Sequence, residues 1–180
     1  MERLAALLRG VNVGGRRRLA MADLVAVVEG LGHRDVATYL QSGNVVFTPG
    51  SRAAPGSVAA RIEQALAVEL DLESTVVVRS ASELASVLAA NPFAGADPAT
   101  LHVTFLAAGV GAGGGEAGGP VDVEAKGDRG TVVGPHVYLH CPTGYGRSPL
   151  TNSYWERRLG VPVTTRNWRT VAALAELAGG

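Results

Sequence analysis

Along residues 1–80, short apolar runs typical of strands are interspersed with longer runs whose apolar residues have helical spacing. Four short apolar or alternating runs are typical of strands. They occupy residues 3–9, 36–41, 45–47 and 75–79. Two longer runs, at residues 21–31 and 57–70, repeat their apolar positions every three or four residues and predict helices. The order βαββαβ is that of a split βαβ unit, so we predict a ferredoxin-like subdomain over residues 1–80.

The second half of the chain has the pattern of a mostly antiparallel sheet followed by helices. A helix is predicted at residues 80–90, with Ser82 as its N-cap. The strand candidates are residues 101–107, 121–125, 131–133 and 137–141. Helices are predicted at 151–159 and from 164 onward, and the glycine-rich stretch 109–119 is predicted to be a mobile hairpin tip. The whole chain is therefore expected to be α+β, with a second subdomain over residues 81–180 packed on the first.

Composition narrows the class of protein. Apolar residues make up 47% of the chain. The 16 basic residues balance 16 acidic ones, so the chain has no net positive charge that would attract nucleic acid. A local basic patch is still compatible with this composition. Cys141 is the only cysteine, which excludes an internal disulfide. No apolar run approaches the roughly 20 residues of a membrane span. We expect a soluble cytoplasmic protein with no membrane partner.

The stretch LLRGVNVGGRRR at residues 7–18 carries the strongest functional signal. Gly10 and Gly15 have the spacing of a phosphate-binding loop, but Arg16 and Arg17 stand where that loop needs a lysine and a hydroxyl, which argues against nucleoside triphosphate hydrolysis. In a weaker interpretation, backbone N–H groups and arginines hold a phosphate or a carboxylate. Those arginines are Arg9, Arg16, Arg17 and Arg18. The alternative is a plain strand-to-helix connection with solvated arginines.

Two further segments are candidate ligand sites. In residues 164–170, a threonine cap would begin a helix on which Arg166 and Arg169 share a face, and two arginines there require a carboxylate or a bound anion. Trp168 is expected to fill the core. In residues 142–149, Tyr145 and Arg147 stand among glycines and could wrap a ligand or merely connect two elements.

Histidine and cysteine spacing predicts no metal site and no cofactor. His136 and His140 would share a strand face about 13 Å apart, which is too far for one metal ion. Cys141 follows His140 directly, and neighbouring strand residues point to opposite faces, so a thiol–imidazole pair is disfavoured. A buried structural cysteine is expected.

Four stretches of the chain together resemble the bacterial family known as domain of unknown function 1697. They are ALLRGVNVGG at residues 6–15, MADLVAVVEGLGHRDVATYLQSGNVVF at 21–47, NPF at 91–93 and TTRNWRTVAALAEL at 164–177. The resemblance implies an α+β fold with a ferredoxin-like N-terminal part, and it implies no activity. Members of that family often carry a lysine and polar residues after the two glycines, where this chain has Arg16, Arg17 and Arg18.

We therefore favour a binding module for an anionic ligand, either a nucleotide or other phosphate-bearing metabolite or a nucleic acid strand. Its candidate binding residues are Arg9, Asn12, Gly14, Gly15, Arg16, Arg17, Tyr145, Arg147, Arg166, Asn167 and Arg169. This hypothesis predicts that the loops carrying Arg9 and Arg166 share one cleft. Base stacking on the sheet has only Tyr39 and Phe47 to offer in the first four strands.

Two alternatives stay open. One is a metal-independent enzyme that uses Asn12, Tyr145, Arg147 and Arg166 in a cleft between the subdomains, although none of the three loops carries a carboxylate to act as general base. The other is a structural or partner-binding protein that forms a homodimer through its sheet edges.

Overall fold

The computed structural model of the chain describes residues 1–13, 18–107 and 121–180. The predicted glycine-rich hairpin tip at 109–119 lies outside these residues. The chain divides into two compact units. Unit 1 comprises Met1–Ala85 and Leu174–Gly180, and unit 2 comprises Ser86–Ala173. The α+β prediction is confirmed, because the described residues form two antiparallel sheets and five helices.

Unit 1 contains the first sheet and the first two helices. Its elements are β1 (Leu4–Leu8), α1 (Met21–Gly30), β2 (Arg34–Thr38), β3 (Asn44–Thr48), α2 (Pro55–Leu70) and β4 (Val76–Ser80). The strands lie in the order β2-β3-β1-β4, and every neighbouring pair is antiparallel. The six predicted elements are thus confirmed, with ends shifted by a few residues.

The core of unit 1 lies between this sheet and the two helices. Leu24 and Val28 of α1 and Ile62 and Leu66 of α2 are fully buried in one cluster with Phe47 of β3. These helical positions are spaced four residues apart, so each helix presents one apolar stripe to the sheet. Because Phe47 is buried in this cluster, its ring cannot stack on a base.

Unit 2 is built on a five-stranded sheet. Its strands are β5 (Leu101–Leu106), β6 (Val121–Ala125), β7 (Asp128–Val133), β8 (His136–His140) and β9 (Val163–Asn167). Their order is β6-β7-β8-β5-β9, all antiparallel. Helix α4 (Asn152–Leu159) covers one face: its Trp155 is fully buried, and a Cβ on Gly130 would lie 2.5 Å from the indole ring.

Helices α3 (Ala81–Ala89) and α5 (Trp168–Gly179) complete the secondary structure. The predicted Ser82 cap on α3 is wrong. Ser80 caps the helix instead, because the Glu83 N–H donates to Ser80 Oγ (3.2 Å) and the Ser80 N–H donates to Glu83 Oε2 (2.7 Å). These two bonds form a capping box.

The predicted start of the last helix near residue 164 is also wrong. Thr164 and Thr165 belong to β9, which pairs with β5, and α5 begins at Trp168. The run Val163-Thr164-Thr165 is β-branched, and such residues favour a strand that can pair on the edge of a sheet. The cap is Asn167, whose Oδ1 accepts from the Thr170 N–H at 2.8 Å. Across the residues described here, no helix has the length and apolar character needed to cross a membrane.

Candidate functional site

The loop after β1 is fixed to the rest of unit 1 at its first residues. The Leu8 N–H donates to the carbonyl of Gly43 (2.8 Å), and the Arg9 N–H donates to the carbonyl of Thr75 (2.9 Å). Ser74 Oγ donates to the carbonyl of Arg9 (2.9 Å). The backbone therefore enters the loop in one conformation.

Asn12 closes this loop. Its Nδ2 donates to the carbonyls of Leu19 (3.0 Å) and Gln41 (2.7 Å), and its Oδ1 accepts from the Leu19 N–H (2.8 Å). Asn12 has a φ of 55°, in the left-handed region that asparagine tolerates better than most residues. The side chain thus joins residue 12 to residue 19 and both to the turn between β2 and β3.

The turn between β2 and β3 packs directly against the loop. Gly43 has a φ of 72°, and a Cβ there would overlap the Val11 side chain and lie 2.9 Å from the Cβ of Leu8. Asn44 is fully buried and donates from Nδ2 to the carbonyl of Tyr39 (3.1 Å). Loop and turn form one structure, which we call the loop–turn site; it consists of residues 11–13, 18–23 and 39–43.

A surface pocket of about 510 Å³ opens within the loop–turn site. Its lining residues are Asn12, Arg18, Leu19, Ala20, Asp23 and Gln41. An adjoining pocket of about 280 Å³ shares Arg18, Leu19 and Asp23 and extends to Asp71 at the end of α2. The described lining therefore offers one guanidinium donor and two carboxylate acceptors.

Two aliphatic residues that neighbour Asn12 and Gln41 in the sequence have exposed side chains. Val13 is 70% exposed and Leu40 is 57% exposed. Leu40 also has a φ of 57°, a conformation that costs a residue with a Cβ about 1–2 kcal/mol. Leu40 and Gln41 are not predicted from the sequence, where their only signal is a position just before the Ser-Gly-Asn turn.

The other predicted binding residues of unit 1 are Arg9, Gly14, Gly15, Arg16 and Arg17. Arg9 lines a separate pocket of about 380 Å³ with Glu63, Glu73 and Ser74, so its surroundings are more acidic than basic. Gly14, Gly15, Arg16 and Arg17 lie outside the described residues. Their part in ligand binding stays a prediction from the sequence.

In unit 2, Tyr145 stands at the centre of a polar cluster. Its ring stacks on His102 with the ring centroids 4.8 Å apart. Thr165 Oγ1 donates to Asn152 Oδ1 (2.6 Å) and lies 2.7 Å from Thr104 Oγ1. Burial raises the pKa of Tyr145, while the neighbouring Thr165 side chain and Asn152 backbone partly offset the rise. Burial lowers the pKa of His102, because the interior favours the neutral imidazole over the charged form.

Arg166 and Tyr145 lie on opposite faces of the five-stranded sheet of unit 2. Arg166 pairs in register with Val103, one residue away from the Thr104–Thr165 pair, and alternate strand residues point to opposite faces. Its Nη1 donates to Thr164 Oγ1 (2.8 Å) and to the carbonyl of Thr165 (3.0 Å). Burial lowers the pKa of Arg166 to about 10 because the interior penalises its positive charge.

The remaining candidates of unit 2 are Arg147, Asn167 and Arg169. Arg147 and Arg169 are exposed, and the side-chain oxygen of Asn167 is engaged in capping α5. The interpretation of Arg166 and Arg169 as one helix face is wrong, because Arg166 belongs to β9 and Arg169 to α5. Arg9 belongs to unit 1 and Arg166 to unit 2, and a cleft shared by their loops stays a prediction.

Among residues 1–13, 18–107 and 121–180, no group of three or more histidine, cysteine or acidic residues has the geometry to hold a metal ion. Cys141 is fully buried, and burial raises the pKa of its thiol. A thiol with a raised pKa is a poor nucleophile. This agrees with the structural cysteine that the sequence predicts.

Comparison with known proteins gives a family and a fold. The model of a family described as "Protein of unknown function (DUF1697)" matches residues 1–138. The conserved bacterial protein SP0830 from Streptococcus pneumoniae has a similar structure, with a TM-score of 0.69, 23% sequence identity and coverage of 98% of each chain. At that identity the likeness shows a shared fold alone. No curated protein matches the chain.

Proposed function

The chain belongs to the DUF1697 family of proteins of unknown function, and from that premise we propose that it is a binding module for a small anionic, phosphate-bearing ligand. The ligand binds at the loop–turn site of unit 1. The observation that carries the proposal is the triple hydrogen bonding of Asn12, which joins both ends of the loop and the neighbouring turn.

This closure matters because it removes a cost of binding. Gly14, Gly15, Arg16, Arg17 and Arg18 lie in the sequence between Asn12 and Leu19, whose backbone groups the Asn12 side chain holds together. A loop whose ends are already fixed loses less conformational entropy when it receives a ligand. Glycine lets backbone N–H groups approach an anion, and arginine offers a planar fork of donors to a phosphate.

The sequence of the loop supports the same ligand class, because Arg16, Arg17 and Arg18 are three consecutive positive charges. The pocket lining that the structure describes contains Arg18, Asp23 and Asp71. Asn12 itself acts as a positioning residue, because backbone groups occupy its carboxamide. A nucleic acid strand would use the same arginines, but the burial of Phe47 leaves unit 1 without that ring for base stacking.

We also propose that unit 1 is a ferredoxin-like unit. The element order βαββαβ and the antiparallel strand order β2-β3-β1-β4 support this assignment. The loop–turn site then lies at one end of the sheet, where the connection from β1 to α1 meets the hairpin of β2 and β3.

Isothermal titration calorimetry with inorganic pyrophosphate tests the proposed function. The variant Arg16→Ala/Arg17→Ala/Arg18→Ala removes three charges from the loop. A matched control, Arg34→Ala/Arg157→Ala/Arg158→Ala, removes three exposed arginines elsewhere and has the same net charge. We expect the loop variant to raise the Kd at least about tenfold and the control to leave it within about twofold.

Salt supplies a second readout. Binding to exposed arginines weakens as ionic strength rises, because salt screens the attraction. Failure of the wild-type protein to bind pyrophosphate at low salt would contradict the proposal. So would equal weakening in both triple variants, because the interaction would then follow net charge and not the loop.

A further inference from the structure

We propose that unit 1 has a second binding site, a pocket beside the start of β1 that takes a short zwitterionic peptide with apolar side chains. This pocket shares no lining residue with the pockets of the loop–turn site, so the proposal does not depend on phosphate binding there. It rests on what lines the pocket: apolar residues, two carboxylates on one side and a guanidinium on the other.

The pocket has the size and the lining of a small-molecule site. Its volume is about 600 Å³, within the roughly 300–1,000 Å³ range of such sites. Half of its lining is apolar and consists of Met1, Leu4, Pro49, Ala53 and Pro55. A ligand with apolar groups buries surface against these residues, while a few charged side chains fix its orientation.

Strand register places the charged residues on two sides of β1. Leu4 pairs with Phe47 of β3 on one side and with Ser80 of β4 on the other. The chain leaving β3 forms the wall that contains Arg52, and the chain leaving β4 enters α3 and forms the wall that contains Glu83. Neighbouring strands lie about 4.8 Å apart, so the two walls begin roughly 10 Å from each other.

Backbone hydrogen bonds hold the two carboxylates at the α3 wall. Glu2 Oε1 accepts from the Ser82 N–H (2.6 Å), and Glu83 Oε2 accepts from the Ser80 N–H (2.7 Å). Hydrogen bonding from Ser82 lowers the pKa of Glu2, which keeps this side chain charged at neutral pH. A carboxylate has about four acceptor positions, so each of the two can accept further hydrogen bonds from a ligand ammonium group.

The wall that contains Arg52 is held in place as well. The Gly50 N–H donates to Nδ1 of the buried His33 (3.2 Å), and a Cβ on Gly50 would overlap neighbouring backbone. Pro49 and Pro55 stand on either side of Arg52, and the proline ring fixes φ. Arg52 is exposed between these residues and offers a planar fork of donors that suits a carboxylate.

This arrangement of charges selects the ligand. An ammonium group matches Glu2 and Glu83, a carboxylate matches Arg52, and the lining between them favours apolar groups. A single amino acid carries both charges on one carbon atom and cannot reach both walls. An extended peptide spans at most about 3.3–3.6 Å per residue, so two or three residues match a separation of roughly 10 Å. A simple anion would be repelled by the two glutamates.

Calorimetry with the tripeptide alanyl-leucyl-alanine tests the proposal, in comparison with its N-acetylated form and its C-terminal amide. In the wild-type protein we expect the free tripeptide to bind at least about tenfold more tightly than either blocked form, because each block removes one charged contact. Glu2→Gln keeps an oxygen for the Ser82 N–H and removes the charge, so it should reduce the preference over the acetylated form. Arg52→Gln should reduce the preference over the amide.

Glu29→Gln and Arg34→Gln are the matched controls, since both residues are exposed and neither lines the pocket. They should leave all three affinities within about twofold of wild type. Absence of tripeptide binding would overturn the proposal, and so would equal binding of a blocked form, because the pocket would then not recognise both ends of a peptide. Pyrophosphate binding, measured on the same proteins, decides the proposed function separately.

Discussion

Asn12 Nδ2 donates a hydrogen bond of 2.7 Å to the carbonyl of Gln41, and this contact joins the loop after β1 to the turn between β2 and β3. Two segments 29 residues apart in the sequence thereby become one structure. The same carboxamide also bonds to the N–H and the carbonyl of Leu19. Its role is to hold backbone in place, which is the basis for locating the candidate site here.

Replacing Asn12 tests this positioning role. Asn12→Ala removes all three side-chain hydrogen bonds, each with a net value of about 1 kcal/mol, and adds strain at a φ of 55°. We expect a loss of about 2–4 kcal/mol in the free energy of unfolding, measured by urea denaturation. Asn12→Gly relieves the backbone strain and should recover only about 1 kcal/mol. Full recovery in the glycine variant would contradict the hydrogen-bonding account.

Gly43 and Gly10 form a matched pair for the close approach of loop and turn. Both have positive φ, but a Cβ on Gly43 would overlap Val11, whereas a Cβ on Gly10 would meet nothing within 4 Å. Gly10→Ala should lower the free energy of unfolding by about 1 kcal/mol, because the only cost is the strain of a Cβ at positive φ. Gly43→Ala should cost about 2 kcal/mol more, because a clash is added to that strain. Equal melting temperatures for the two variants would refute the close packing.

Leu40→Asn should stabilise the protein. Asparagine accepts the left-handed backbone more readily than leucine, and the lost side chain contributes little burial. We expect a gain of about 1 kcal/mol in thermal unfolding experiments. Val68→Asn, at an exposed helical position, should change stability by less than about 0.5 kcal/mol. A destabilised Leu40→Asn variant would show that the side chain supports the fold.

His33 should make unit 1 sensitive to acid. The imidazole is buried, its Nδ1 accepts from the Gly50 N–H (3.2 Å), and burial followed by repulsion from Arg61 lowers its pKa below 6.5. The unfolded chain therefore binds a proton at a higher pH than the folded chain does. Stability is full above about 6.5 and decreases as the pH falls from there toward the folded pKa.

Chemical denaturation at several pH values measures this effect. His102 also has a pKa lowered by burial and contributes in the same direction. His33→Gln should remove part of the pH dependence, and His33→Gln/His102→Gln should remove more. An unchanged slope in the double variant would contradict the assignment to these two residues.

The Tyr145 cluster provides a further test within unit 2. The Thr165 side chain lowers the Tyr145 pKa against the larger effect of burial, which raises it. Thr165→Val should therefore raise the Tyr145 pKa further above 10.0. Ultraviolet absorbance titration measures the shift, and Tyr145→Phe identifies which transition belongs to Tyr145. A pKa that stays constant or falls in Thr165→Val would contradict the assigned influence of the Thr165 hydroxyl on Tyr145.

The helices and strands of unit 1 were predictable because each buries one regular apolar stripe, as Leu24 and Val28 do on α1. The strand β9 was not predictable in this way, because Thr164 and Thr165 precede a strong helix and their pairing partner β5 lies about 60 residues earlier in the sequence. Local propensity carries no information about such a long-range partner.

The candidate site was predictable only in part. The glycines and arginines of residues 9–18 indicated where to look, since their chemistry can be read from residue types. The contribution of Leu40 and Gln41 depends on hydrogen bonds from Asn12 and on the backbone conformation of a turn, neither of which is written in residue type. Likewise, Tyr145 stacks on His102 of β5, and only the register of β5 with β9 shows that Arg166 lies on the other face of the sheet.

A two-dimensional NMR titration with inorganic pyrophosphate tests the central claim most directly, because it reports where the ligand binds. We expect saturable shifts of the backbone amides of Asn12, Val13, Arg18, Asp23, Leu40 and Gln41. We expect no comparable shifts around Tyr145 and Arg166. Shifts centred on those two residues, or none at all, would contradict a ligand site at the loop–turn structure.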